Sequence, residues 1–266
     1  MLRLAVGQME PKVTNVEENI SRVKEFLQEA LDNSIDVLVL PELSNSGYVF
    51  QNIDEVRDSA EVIPQGPLSS ELLAWSKRGK MVVAGICEKT ENGLFNSAGI
   101  FANGKHVSTY RKIHLFLNEK SWFLPGKDEP PVIEFKNNRF GVMICFDWIF
   151  PEISRILALK GAQVILHPAN LVLPYCQEAM ITRSIENHVF TATSNRIGTE
   201  RKLTFSGFSQ VTNPKGERLV QLDGNETGII WVDIDPTLAD NKMISKRNHV
   251  MNDRFPEMYW RLTQND

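Results

Sequence analysis

Three residues of types that do covalent chemistry sit in tightly specified surroundings: Glu42, Lys112 and Cys145. Cys145 closes the apolar run Gly141-Val142-Met143-Ile144 and opens Phe146-Asp147-Trp148-Ile149-Phe150-Pro151-Glu152. The run reads as a buried strand. Pro151 suits the first turn of a helix over 152–160, with Lys160 in its last turn and Gly161 just beyond. A thiol at a strand-to-loop corner before a helix points out of the sheet edge, as a nucleophile must. A packed free cysteine fits the same local pattern equally well, so the other two segments have to decide.

Glu42 follows the apolar run Val37-Leu38-Val39-Leu40-Pro41 and precedes Ser44-Asn45-Ser46-Gly47-Tyr48. Lys112 lies in Thr109-Tyr110-Arg111-Lys112-Ile113-His114-Leu115-Phe116, which alternates like a strand and puts Lys112 and His114 on one face. A free thiol with a pKa of ~8.5 is only partly ionised at neutral pH. An ammonium stabilises the thiolate, and a carboxylate accepts the thiol proton. Attack on an amide carbonyl develops an oxyanion, for which Lys112 and the backbone N–H of Phe146 are the natural donors. Glu42 can then protonate the leaving amine and activate water against the thioester.

Glu42 in PELSNSGY, Lys112 in YRKIHLF and Cys145 in GVMICFDWIFPE resemble, in order and local sequence, the three motifs of the nitrilase superfamily, the carbon–nitrogen hydrolases. The resemblance runs from Met1 to about Val232. CFDWIFPE followed by HPANLVLPY is most similar to the small archaeal and bacterial nitrilase/amidase branch. It implies a four-layer α-β-β-α sandwich and an amidase that releases ammonia and a carboxylic acid from small non-peptide amides. A nitrilase acting on small aliphatic nitriles is the alternative within the family. The family needs no metal and no organic cofactor. Its subunits pair, so a homodimer or higher homo-oligomer is expected, joined through the helix after Cys145 and the one around 177–187.

Further site residues follow from the same resemblance. Glu119 matches an additional glutamate that hydrogen-bonds the lysine and positions substrate; the competing reading is a solvated loop carboxylate beside Lys120. Tyr48, Phe146, Trp148 and Asn170 are the substrate-binding candidates. Tyr48 after the Gly47 turn either lines the pocket or caps a loop, and Asn170 follows a strand in His167-Pro168-Ala169-Asn170. Asp147 and Trp148 stand where the family varies with substrate. A papain-like hydrolase pairing Cys145 with His114 or His167 is a different class of reading. A binding protein on this fold is another, and would be expected to have lost one of the three motif residues.

The elements that must hold these residues are legible as alternating runs. With 266 residues, 42% of them apolar, the chain can bury a large core and fits a single domain over 1–266. Its polar, aromatic tail from about 237 is expected to pack at a subunit interface. A net charge of −4 leaves no basic footprint for nucleic acid. No apolar run approaches the ~20 residues that cross a bilayer. Three cysteines and no export signal at Met1 suggest reduced thiols in the cytoplasm. Cys87 reads as core, and Cys176, at a helix start, as nearer the active site. Strands are expected over 2–8, 37–40, 81–86, 164–166, 191–193, 208–212, 218–221 and 227–232. Helices are expected over 16–31, 68–78 and 177–187, and a hairpin joins 94–101 to 106–110 around Asn103-Gly104.

Overall fold

The structure is a computed structural model that describes residues 1–77 and 79–264. The chain starts with strand β1 (Leu2–Gln8), helix α1 (Val16–Asp32) and strand β2 (Val37–Val39). Helices α2 (Ile53–Ser59) and α3 (Pro67–Ser76) follow, then the meander β3 (Met81–Thr90), β4 (Gly93–Ala102) and β5 (Lys105–Arg111). The short helix α4 (Glu119–Trp122) leads to β6 (Val132–Phe135), β7 (Asn138–Val142), helix α5 (Pro151–Leu159) and β8 (Val164–Pro168). Helix α6 (Cys176–Asn187), β9 (Phe190–Ser194), the ribbon β10 (Thr199–Glu200) and β11 (Leu203–Thr204), β12 (Gln210–Thr212), β13 (Arg218–Gln221) and β14 (Gly228–Ile234) complete it.

Two six-stranded sheets result, ordered β14-β1-β2-β3-β4-β5 and β13-β12-β9-β8-β7-β6. Each has a parallel centre, β1-β2-β3 in one and β7-β8-β9 in the other, with antiparallel flanks. Central parallel strands are covered on both faces, which is why Val37, Leu38 and Val39 are all apolar and fully buried. The period-two alternation then sorts side chains between layers. Val37 and Val39 face the second sheet together with Leu4, Val6 and Val83 and share one core with Val142 and Leu166 of that sheet, whereas Leu38 and Ala5 face α1 and α3 with Phe26, Leu27 and Leu72. On the far side Ile153 and Leu157 of α5 and Met180 of α6 cover the second sheet. The fold is therefore the expected four-layer α-β-β-α sandwich.

Differences from the sequence reading are local. The segment 109–116 is not strand throughout: β5 ends at Arg111, because the chain turns to bury Lys112. The run before Cys145 leaves the strand at Val142, and residues 145–149 wind into a 3-10 turn. The strand expected from Phe208 begins at Gln210, after Phe208 adopts a left-handed backbone at φ 56°. Helix α2, helix α4 and strand β6 lack a clear periodic signature. Arg78, the expected end of the second helix, and the last two residues of the tail lie outside the described residues. The Asn103-Gly104 hairpin is as read, with Ala102 paired to Lys105 and positive φ at both turn residues (52° and 75°).

The strands that carry the motif residues end on one edge. β5 is antiparallel to β4 and β4 to β3, so β5 and β3 run the same way and Lys112 emerges near the carboxyl end of β2. Glu42 is held there from behind by β3. Gly85 accepts from Ser44 N at 2.8 Å and donates to Pro41 O at 3.0 Å, and a Cβ at Gly85 would lie 2.2 Å from Glu42 Cα. Only glycine permits that approach. Gly85→Ala should therefore destabilise the protein by about 1–3 kcal/mol and depress activity more than a neighbouring core change such as Val83→Ala. Thermal melts with parallel activity assays check it, and unchanged activity would show that Glu42 is not set by this contact.

Candidate active site

The structure brings Glu42, Lys112, Glu119 and Cys145 together. Lys112 is completely buried, and its ammonium donates to Glu42 Oε1 at 2.6 Å and to Glu119 Oε1 at 2.8 Å. The position is set by the backbone: Lys112 N donates to Asn96 O on β4, and Gly126 N donates to Lys112 O. Asn96 also donates through Nδ2 to Glu42 Oε1 at 2.7 Å, so this oxygen accepts twice. Glu119 opens α4, and its Oε1 additionally accepts the Tyr48 hydroxyl at 2.6 Å. Glu42 Oε2 and Glu119 Oε2 are buried without a hydrogen-bond partner among the described residues. Glu119 is thus no solvated loop carboxylate.

Electrostatics follow from this packing. Burial alone would lower the Lys112 pKa, but Glu119 and Glu42 outweigh it and hold the ammonium well above its ordinary value. Burial pushes Glu119 up, Lys112 pulls it back and Glu42 adds to the rise. Burial and then Glu42 drive the Cys145 thiol well above its ordinary range, with Lys112 only partly opposing them. Glu42 and Glu119 both oppose ionisation of the thiol, against the favourable effect of Lys112.

Cys145 itself has φ 41°, a left-handed backbone that a side chain rarely adopts. Asp147 stabilises that turn from inside. Its fully buried carboxylate accepts from Ile144 N (2.9 Å), the Tyr110 hydroxyl (2.9 Å) and His114 Nδ1 (2.8 Å). Arg183, on α6, donates to the carbonyl of Trp148 at 3.1 Å and pairs with Glu186 at 3.0 Å. The first N–H groups of a helical turn have no partner within it, and Phe146 is the second residue of the turn. Cys145 is 4% exposed at the base of a narrow cleft of about 10 Å³, lined by Phe116, Phe146, Trp148, Asn170 and Leu171 to Leu173. Such a space holds about one water. Its walls are apolar except for Asn170, whose buried side-chain amide has no partner at either end.

Comparison with known proteins agrees with this arrangement. The carbon–nitrogen hydrolase family profile matches residues 3–242. The chain is a carbon–nitrogen hydrolase. It is 41% identical over 262 residues to a nitrilase of Pyrococcus abyssi, across 98% of this chain and all of that one (100%). It is 31% identical over 248 residues to a 2-oxoglutaramate amidase of Bacillus subtilis, covering 91% of this chain and 93% of the relative. Among solved structures an amidase from Nesterenkonia sp. superposes with a TM-score of 0.81 at 25% identity, over 98% of this chain and 96% of that one.

In this hydrolase neither candidate histidine reaches the sulfur by hydrogen bond. His114 is turned to Asp147 and stacks on Phe150 with ring centroids 3.7 Å apart. His167 bonds the backbone carbonyl of Cys145 at 3.0 Å through Nε2, and burial lowers its pKa to about 4, so it stays neutral. The papain-like alternative loses its base. Tyr48 does not line the cleft beside Trp148 and Asn170; its hydroxyl is spent on Glu119. Cys87 is fully buried core, as expected. Cys176 is fully buried among core residues at the start of α6 and is not among the residues lining the cleft. Asn96 escaped the sequence reading. The signal available was the polar pair Asn96-Ser97 inside an otherwise apolar strand.

The thiol state gives a direct test. Cys145 should react slowly at neutral pH with a small methanethiosulfonate reagent and faster as pH rises beyond the ordinary thiol range, because its pKa is raised. Lys112→Met removes the ammonium that opposes this rise and should slow the reaction further at each pH. Peptide mapping of the modified residue follows both, and equal labelling of wild type and variant would contradict the electrostatic account.

Proposed function

We propose that the hydrolase is an amidase for small primary amides, working through a thioester on Cys145. Glu42 accepts the thiol proton as sulfur attacks the carbonyl carbon. Lys112 Nζ and the Phe146 N–H stabilise the oxyanion, and Glu42 returns the proton to nitrogen so that ammonia leaves. Glu42 then activates water against the thioester, which releases a carboxylic acid. Glu119 holds Lys112 and meets the substrate amide, and Trp148 and Asn170 border the acyl group.

The observation that carries this reading is the pair of buried, unpartnered carboxylate oxygens, Glu42 Oε2 and Glu119 Oε2. A buried acceptor without a donor is costly. A primary amide brings two N–H donors that can satisfy both, whereas a nitrile nitrogen brings none. The apolar cleft favours a short hydrocarbon acyl group. The name of the Pyrococcus abyssi relative supports the second reading, a nitrilase for small aliphatic nitriles. Acyl-matched amide and nitrile pairs separate the two: kcat/KM should be larger for the amide, and a larger value for the nitrile reverses the choice. In the same assay Cys145→Ala, Glu42→Gln and Lys112→Met should each lose activity by about a thousandfold or more, while Cys87→Ala keeps it.

We also propose that two or more copies assemble through the face carrying α5, α6 and the tail. Leu157 and Met180, expected on that face, are buried within the chain instead, since they cover the second sheet. Ile149, Leu159 and Ile185 remain exposed there, and the tail exposes Phe255, Met258, Trp260 and Leu262. That much apolar surface favours association. Light scattering should report at least a dimer, and a stable 30 kDa species at all concentrations would exclude it.

A further inference from the structure

Arg196 is among the largest side chains that are fully buried, and its partner Glu200 is 5% exposed. They sit in the 195–205 segment that follows β9. Burying an ion pair costs more than filling the same space with apolar groups, so its placement calls for an explanation. Glu200 Oε1 accepts from Arg196 Nη1 at 3.0 Å. Glu200 Oε2 accepts from two consecutive backbone amides, Tyr48 N at 2.8 Å and Val49 N at 2.5 Å. Arg196 is fixed in turn by Pro11 O at 2.9 Å and lies over the Phe205 ring at 4.0 Å. Phe205 meets the Tyr48 ring edge-on, with centroids 5.9 Å apart and planes at 83°. The carboxylate fits closely under the loop: a Cβ at Gly47 would lie 2.7 Å from Glu200 Oε1.

Tyr48 is thus held at its backbone by Glu200 and at its ring by Phe205, on which Arg196 rests, and its hydroxyl donates to the same Glu119 oxygen that accepts Lys112. We infer that Arg196 and Glu200 are positioning residues for the amidase reaction, acting through Tyr48 on Glu119 and so on the lysine that faces the oxyanion. A loop places a hydroxyl within the fraction of an ångström that catalysis needs only when its backbone is held. Charge-assisted bonds to two adjacent amides do this. The inference rests on the catalytic reading given above.

A double-mutant cycle between Glu200 and Tyr48 tests it. Glu200→Gln keeps an acceptor for the amides and loses the charge; Glu200→Asp keeps the charge and shortens its reach. In the wild-type background either change should lower kcat about tenfold with KM within about twofold. In a Tyr48→Phe background, itself slowed, the same change should lower kcat less than about twofold, because the route to Glu119 is already cut. Equal loss in both backgrounds, or full activity of Tyr48→Phe, would overturn the inference. So would failure of both Glu200 variants to fold, since the pair would then serve folding alone. Lys112→Met is the control: full activity there would bring down the catalytic reading itself, whereas its inactivity with an additive cycle would remove only this inference.

Discussion

A lysine ammonium with no access to water, bonded to two carboxylates, is the constraint around which the rest is arranged. A buried cation is tolerable only when its partners are fixed and close, and each partner comes from a different part of the chain. Glu42 arrives after β2 and is pressed forward by Gly85; Glu119 arrives on α4, with Tyr48 behind it. β5 has to stop at Arg111 so that Lys112 can turn inward. The cluster sets one lysine against two carboxyl groups beside a sulfur whose burial holds its thiol well above the ordinary range. In the proposed mechanism the proton therefore leaves the thiol only as the carbon–sulfur bond forms, so that little free thiolate accumulates between turnovers.

The nucleophile is held by a second, separate carboxylate. Asp147 gathers the Ile144 amide, the Tyr110 hydroxyl and His114 around the turn that forces Cys145 into its left-handed backbone. Strain of this kind persists only where the surroundings over-determine it. The two carboxylate systems are distinct: one surrounds Lys112 and carries proton transfer in the proposed mechanism, the other braces the turn that bears the sulfur.

Glu42, Lys112 and Cys145 were legible in the sequence because Glu42 and Cys145 each end an apolar run and Lys112 lies in an alternating one, in local patterns distinctive enough to carry a family resemblance. The layered fold was legible for a related reason: alternating and continuous apolar stretches record which faces a strand buries. Much less could be read where one residue answers to a distant one. His114 alternates correctly with Lys112, yet Asp147, 33 residues later, pulls it elsewhere. Glu200 contacts Tyr48 from 152 residues away, and neither loop has a periodicity to announce it. The upward shift of the thiol was not legible either, because it comes chiefly from burial, which depends on the packed structure.

The cleft above Cys145 has a bearing on the company this enzyme keeps. Every protein around it displays asparagine and glutamine side chains, which are themselves primary amides. Cys145, only 4% exposed and beneath phenylalanine, tryptophan and leucine walls, offers little room to an amide still attached to a folded surface. On the amidase reading, that shape selects free small molecules over side-chain amides, so the sulfur's own reactivity does not have to discriminate between them.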